Sequence, residues 1–410
     1  MATFEYVARD KTGKEVTGTQ DAPTKEALVQ QLRDKGLMTS SVEEKKTQAL
    51  VKKKAGRRIR GRKVTARHLS IFCRQFATMI NAGVSLVRCL DVLEQQTDSA
   101  ALKEIIRDIE VEVEGGATMS RAMAKHPRVF TNLAVGLVRA GEVGGVLDET
   151  LDRLAGFLEK DMELRRKVKS SMTYPVLVMV AAIGIVTFLV TFILPKFMKM
   201  FVELGMTEDK FPLPTLILMK LSGFMTSKWY IMIAIIVGLT IAYNRIKATK
   251  TGKRYLDMLK LRFPVFGSLN HKIAISRFAR TLSTLLSSGV PILSAMETVA
   301  GTVDNDIIAD AILLSRAAIR EGDTIADPLA HSKMFPPMVV QMITIGEETG
   351  QLDQMLEKVA DFYESEVDAS LESLTSALEP LLIMFLGGVV GFIVVSMFLP
   401  LIAIIGELSQ

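Results

Sequence analysis

Two stretches of the chain, "FCRQFATMINAGVSLVRCL" from Phe72 and "FARTLSTLLSSGVPILSAM" from Phe278, align with each other, placing Gly83 over Gly289. The offset of 206 positions holds through Gly116 over Gly322 and Thr118 over Thr324. After a one-residue slip it becomes 205, and Phe130 matches Phe335, Gly141-Glu142 matches Gly346-Glu347, Gly145 matches Gly350, Phe157 matches Phe362, Pro175 matches Pro380 and Pro195 matches Pro400. A unit of about 125 residues is used twice. Any fold must therefore serve two copies and provide a way of joining them.

Each copy ends in an apolar run. From Ser170 to Pro195 and from Pro380 to Gly406 there is no charged side chain, and a helix of about 20 apolar residues crosses a bilayer. Two copies running in the same sense need one further span to bring the chain back between them. Leu221 to Asn244 supplies it, with Lys228 snorkelling and with Trp229, Tyr230 and Tyr243 near its ends, where aromatic rings favour the water boundary. Charge asymmetry gives the orientation. Six Lys or Arg lie between Arg153 and Lys169, and seven between Arg245 and Arg262, against none in the four residues after Gly406. The expected course is inside, out, in, out, with the amino terminus cytoplasmic and the carboxyl terminus on the far side; "MATFEYVARDKTGKEV" does not read as a signal peptide.

Inside each unit the apolar period is helical, as in Leu69, Phe72, Phe76 and Met79 and in Ile275, Phe278, Leu282 and Leu285. Ser85, Pro291, Thr118 and Thr324 stand where helices should begin, and Gly83, Gly116, Gly141 and their counterparts where helices should end. The expectation is a mainly α integral membrane protein: two homologous cytoplasmic six-helix bundles (64–169 and 245–379) and three transmembrane helices (170–195, 221–244 and 380–406). A periplasmic loop would occupy 196–220. Residues 1–44 read as a small α/β module, with two alternating runs around a turn, a short helix capped at Thr24 and a further strand. Residues 45–63 hold ten basic side chains and no acid. They read equally as a solvated linker or as a contact for anionic lipid, and lack an aromatic for nucleic-acid stacking.

The glycine-rich turns "RAGEVGGVLDETL" and "TIGEETGQLDQML" suggest phosphate loops, but neither has the Lys of a Walker loop, and the segment before the first reads as a helix where a dinucleotide loop needs a strand. Glu142 and Glu347 would repel a phosphate. Two readings of the Gly-Glu pair remain: a carboxylate near the amino terminus of the next helix, or an acidic contact surface for a partner, shown twice and built from Gly141, Glu142 and Gly145 and from Gly346, Glu347 and Gly350. Cys73 and Cys89 read as packed, reduced thiols. The four histidines are scattered, with no zinc spacing, and no cofactor or catalytic constellation is expected; whether a metal binds stays open. Gly387 and Gly391 permit close helix packing, within the chain or between subunits.

"SMTYPVLVM", "FPLPT", "IGEETGQLDQMLEKVADFYESEVD" and the duplicated unit together resemble the inner-membrane platform proteins of type IV pili and type II secretion systems, over essentially the whole chain. The resemblance implies a multi-pass protein of the bacterial inner membrane, non-enzymatic, whose cytoplasmic domains engage a hexameric assembly or retraction ATPase while its membrane part handles pilins beside other inner-membrane assembly proteins, as a homo-oligomer. The wording around Tyr174 and from Gly346 to Asp368 favours the pilus branch; the secretion platform is the alternative, and a transporter or channel a more distant one. The family positions that match here are Gly141, Glu142, Gly145, Tyr174 and Pro175, then Gly346, Glu347, Gly350 and Pro380. Glu379 stands where Tyr174 would repeat, so the two points at which the repeats pass into the membrane need not work alike.

Overall fold

The structure, a computed structural model, describes residues 2–9, 15–22, 24–34, 38–44, 64–203, 211–264 and 266–408. The basic run 45–63 lies outside them. The chain divides into an amino-terminal unit, Met1–Arg62, and a second from Lys63 to Gln410. The first holds β1 (Ala2–Arg9), β2 (Glu15–Ala22), α1 (Lys25–Asp34) and β3 (Met38–Glu44). Its sheet is antiparallel in the order β2-β1-β3, with Phe4 opposite both Gln20 and Glu44. Thr24 caps α1, its hydroxyl accepting from Ala27 N–H at 3.3 Å.

Among the described residues the second unit contains helices and the turns between them. Its first bundle comprises α2 (Ala66–Asn81), α3 (Leu86–Gln96), α4 (Ala100–Glu114), α5 (Met119–Ala124), α6 (Asn132–Gly144) and α7 (Leu147–Phe188). A π-helical turn, Leu189–Ile193, then carries α7 without a break into α8 (Leu194–Glu203). After α9 (Leu213–Ser227), α10 (Trp229–Ala248) and α11 (Lys250–Arg262), the second bundle repeats the first in α12 (Phe266–Ser287), α13 (Ile292–Thr302), α14 (Asp306–Glu321), α15 (Ala326–His331), α16 (Pro337–Thr349) and α17 (Leu352–Leu408). Six helices per copy is the expected number. Ser85 and Pro291 sit at the N-caps of α3 and α13, and the Thr118 and Thr324 hydroxyls accept from Arg121 and Asp327 N–H, each at 3.4 Å.

The buried apolar residues of the two bundles form one continuous core, and each bundle packs its share alike. In the first, Phe72 packs on Phe130 with ring centroids 6.2 Å apart; in the second, Phe278 packs on Phe335 at 4.9 Å. Leu90, Leu102 and Ile106 in one, and Leu282, Ile308 and Ile312 in the other, are fully buried. Burial of side chains of this size is worth about 1.5–3 kcal/mol each, and it holds in place helices of which the shorter would not persist alone. Arg74 on α2 clamps Glu159 on α7 at 2.7 Å, and Arg280 on α12 clamps Glu364 on α17 at 2.9 Å, so first helix is tied to last in both copies.

Among the described residues three helices are long and apolar enough to cross a membrane: Leu147–Glu203, Trp229–Ala248 and Leu352–Ile402. The outer two are continuous with the last helices of the bundles. Two expectations need correction. The segment expected as a loop, 196–220, is largely helical in α8 and α9. The middle span is not one helix over Leu221–Asn244: Lys228 ends α9 and begins α10 with φ −123° and ψ 28°, so Leu221 to Ser227 belong to a separate helix. The reason lies in packing. The face of α9 with Thr215, Leu218 and Ser222 is buried against the outer spans, whereas no side chain of α10 is buried.

Candidate functional site

Glu142 lies inside α6, and its carboxylate turns back to the preceding helix. One oxygen accepts from Met119 N–H, the other from Ser120 N–H at 3.2 Å and from the Ser120 hydroxyl. Glu347 does the same one repeat later, accepting from Ile325 N–H at 2.5 Å and Ala326 N–H at 3.1 Å. The first N–H groups of a helix have no partner within it, and a carboxylate both satisfies them and meets the positive end of the dipole. The helix-terminus reading has the right interaction and the wrong helix: the carboxylates close α5 and α15, not α7 and α17.

The glycines divide into two roles. Gly141 and Gly346 do not end helices, as the sequence suggests, but lie buried within α6 and α16 where the next helix crosses. A Cβ on Gly141 would collide with the Thr150 side chain and stand 3.0 Å from Leu147 Cα; on Gly346 it would stand 2.8 Å from Leu352 Cα. Gly145 and Gly350 are the true C-caps, with φ of 71° and 68°, a left-handed conformation that costs glycine little. Each Gly-Glu-x-x-Gly turn thus sets a tight corner and locks it to the helix before it.

Between the bundles, α7 and α17 run side by side in the same direction. Lys160 meets Glu364 at 3.9 Å and, further along both helices, Lys167 meets Asp368 at 2.6 Å. Arg277 on α12 reaches Asp161 on α7 at 3.5 Å. A cleft of 840 Å³ opens between α6 and the start of α13, with Val135, Arg139 and Val143 on one wall and Pro291, Ser294 and Thr298 on the other. Side chains from both Gly-Glu neighbourhoods are not brought together there: only the first turn borders this cleft.

Where α7 passes into the membrane, Pro175 is buried inside the helix while Tyr174 is half exposed; Pro380 and Glu379, their counterparts in α17, are both exposed. Gly387 and Gly391 are exposed as well, and a Cβ added at either would meet nothing within 4 Å among the described residues.

The repeated prolines at the far ends of these helices reveal residues that the sequence reading misses. Proline has no N–H, so Pro400 leaves the Ser396 carbonyl without its helical donor; the buried Thr215 hydroxyl donates to it at 2.5 Å. In the π turn, where Leu194 N–H bonds back to Leu189 O, the Val190 carbonyl would look to Pro195. The buried Ser222 hydroxyl donates to it at 2.7 Å instead. Thr215 and Ser222 are two turns apart on one face of α9, which therefore stitches both outer spans together through carbonyls freed by matching prolines. The signal available in sequence is the pairing of Pro195 with Pro400 and the two hydroxyls at helical spacing.

Burial pushes the Cys73 thiol up to about 12, and Cys89 also upward, so neither is poised as a nucleophile. Among the described residues no three His, Cys, Asp or Glu side chains converge as metal ligands would.

Comparison with known proteins bears on the whole chain. The family described as Type II secretion system (T2SS), protein F, matches residues 72–195 and again 278–400, and the N-terminal domain of Type II secretion system protein F matches 1–43. A Type IV pilus assembly protein PilC of Thermus thermophilus is 46% identical over the full length of both chains. One of Myxococcus xanthus is 42% identical over all of this chain and 96% of its own. A Type II secretion system protein F of Vibrio cholerae is 30% identical over the full length of both.

Proposed function

The chain belongs to the type II secretion system protein F family, and from that membership we propose that it is a non-enzymatic inner-membrane platform of a type IV pilus machine, coupling a cytoplasmic hexameric ATPase to the assembly, and on reversal the retraction, of pilins. The observation that carries the pilus reading is full-length identity of 46% and 42% to proteins named for type IV pilus assembly, against 30% to a secretion protein. The bundles face the cytoplasm and the carboxyl terminus the periplasm; the basic flanks of the spans support that orientation. Force from the ATPase enters at the bundles and leaves through α7 and α17, each an unbroken helical path from a bundle into the membrane.

Glu142 and Glu347 serve partner contact by fixing the shape of the bundle beneath it, since their oxygens already face backbone donors. Variants Glu142→Ala and Glu347→Ala combined should remain in the membrane but bind the ATPase less well; normal ATPase binding and normal fibres would reduce both turns to structure alone. The proposal as a whole is tested by deleting the gene in its host, imaging surface fibres by electron microscopy and assaying secreted proteins. Loss of fibres with secretion intact is expected. Loss of secretion with fibres intact would transfer the chain to the secretion branch.

A further inference from the structure

The two bundles are copies of one unit, yet they meet through different faces. The first contributes α6 and α7, the second α12 and α13 together with α17. Such a contact is heterologous, and a heterologous contact between like units leaves one complementary face bare at each end of the pair. The bare faces are here the α16–α17 face of the second bundle and the α2–α3 corner of the first.

Matched positions show the difference. Ala140 and Phe157, which border the interface on the first bundle, are part-covered. Their equivalents Ile345 and Phe362 are 39% and 47% exposed. On the other side, Val290 is buried at the interface while its equivalent Val84 is only half-buried, and Ser287 is half-buried where Asn81 is exposed. A groove of 560 Å³ on α16, walled by Val340, Gln341, Thr344, Ile345 and Glu348, consists of the equivalents of the α6 wall of the inter-bundle cleft. Two large apolar side chains are thus bare at positions that the same fold covers elsewhere in the chain.

We propose that the α16–α17 face of one copy docks on the α2–α3 corner of a second copy, repeating between chains the contact that joins the two bundles within one. Charge agrees with this occupant. Glu348 replaces Val143, and Arg88, whose side chain is 66% exposed and pairs with Asp91 through one of its nitrogens, replaces Ser294; Val143 and Ser294 line one cleft, so the corresponding residues of two copies put an acid and a base on opposite walls of the new one. The membrane agrees as well. Because α7 and α17 are parallel, the operation relating the bundles leaves the membrane direction unchanged, so copies related by it share one bilayer with the same side facing out. The inference does not depend on the pilus reading, since it concerns only what this chain does with itself.

The test uses the full chain in the host membrane. Gln341→Cys and Ser85→Cys place thiols at the equivalents of Gly136 and Pro291, which line opposite walls of the intrachain cleft; Ser85 makes no capping hydrogen bond, and Cys73 and Cys89 are buried. With a short bismaleimide, two differently tagged single variants expressed together should cross-link to each other and neither to itself, and a chain carrying both thiols should give a ladder or a closed ring. Adding Glu348→Arg should lower the yield by about tenfold or more, and Arg88→Glu should restore it, as expected for like charges brought together and then separated. Thermal unfolding of each variant checks that it is folded. The proposal is overturned if Gln341→Cys cross-links to itself as readily as to Ser85→Cys, if it captures a foreign protein in place of a second copy, or if no combination cross-links in stably folded protein.

Discussion

At Glu142 two carboxylate oxygens face three donors on α5, and Glu142→Ala takes the carboxylate acceptor from all three. The expected cost is about 0.5–2 kcal/mol, the range for losing a capping side chain, measured by thermal or denaturant unfolding of the detergent-solubilised protein; Glu142→Gln should retain part of it. A loss near zero would mean that water takes over the donors without penalty. Gly141→Ala is expected to cost more for its size, about 1–3 kcal/mol, because the new methyl meets the backbone of Leu147 at 3.0 Å and the helices must separate. Cys73 makes the opposite kind of prediction. Held at 1% exposure with its thiol raised to about 12, it should resist maleimide at neutral pH and react only after unfolding, since the thiolate is the reacting form. Rapid labelling of the folded protein would show that the core opens in the first bundle.

Among the elements, α9 carries the sharpest expectation. Ser222→Ala and Thr215→Val each leave a buried carbonyl without a donor, for about 1–3 kcal/mol apiece, and a span surrounded by lipid has no water to repair the loss. Because the two hydroxyls act on different spans, a double-mutant cycle on thermal stability should give near-additive costs; strong coupling would mean that the spans separate as one event once either bond is lost. This element also marks where sequence reading stops. Helical period, caps and the repeat make both six-helix bundles legible, because local patterns and core burial point the same way there. For α9 they do not: its first half, through Lys220, reads as loop and its second, from Leu221, as part of a span, and only the contacts with α17 and with the π turn after α7 show that Thr215 and Ser222 face inward. Gly141 misleads for a related reason. A glycine kept small for a crossing helix looks, in one dimension, like a glycine that ends its own. The Gly-Glu pair is legible as a carboxylate at a helix terminus, but which helix it closes is a matter of three-dimensional packing.

For the molecule as a whole, continuity of α7 and α17 from bundle to membrane makes helical phase a testable property. One residue added after Ser170 and one after Thr375 turns each span by about 100° relative to its bundle, whereas seven added at both places leave it about 20° short of two full turns. Seven-residue helical insertions in both should therefore be tolerated much better than single ones, read as protein retained in the membrane and as fibres on the cell. Equal tolerance would show that the bundles and spans do not turn together. The same continuity has a purely mechanical side. Leu147 to Glu203 is 57 residues of helix, a rod of about 85 Å at 1.5 Å per residue. Tilting it by a single degree at its bundle end displaces its outer end by about 1.5 Å, which is the rise of one residue in an α-helix. A lean of a few degrees at the bundle end therefore carries the outer end several ångströms across the membrane, so the helix works as a lever that enlarges small movements.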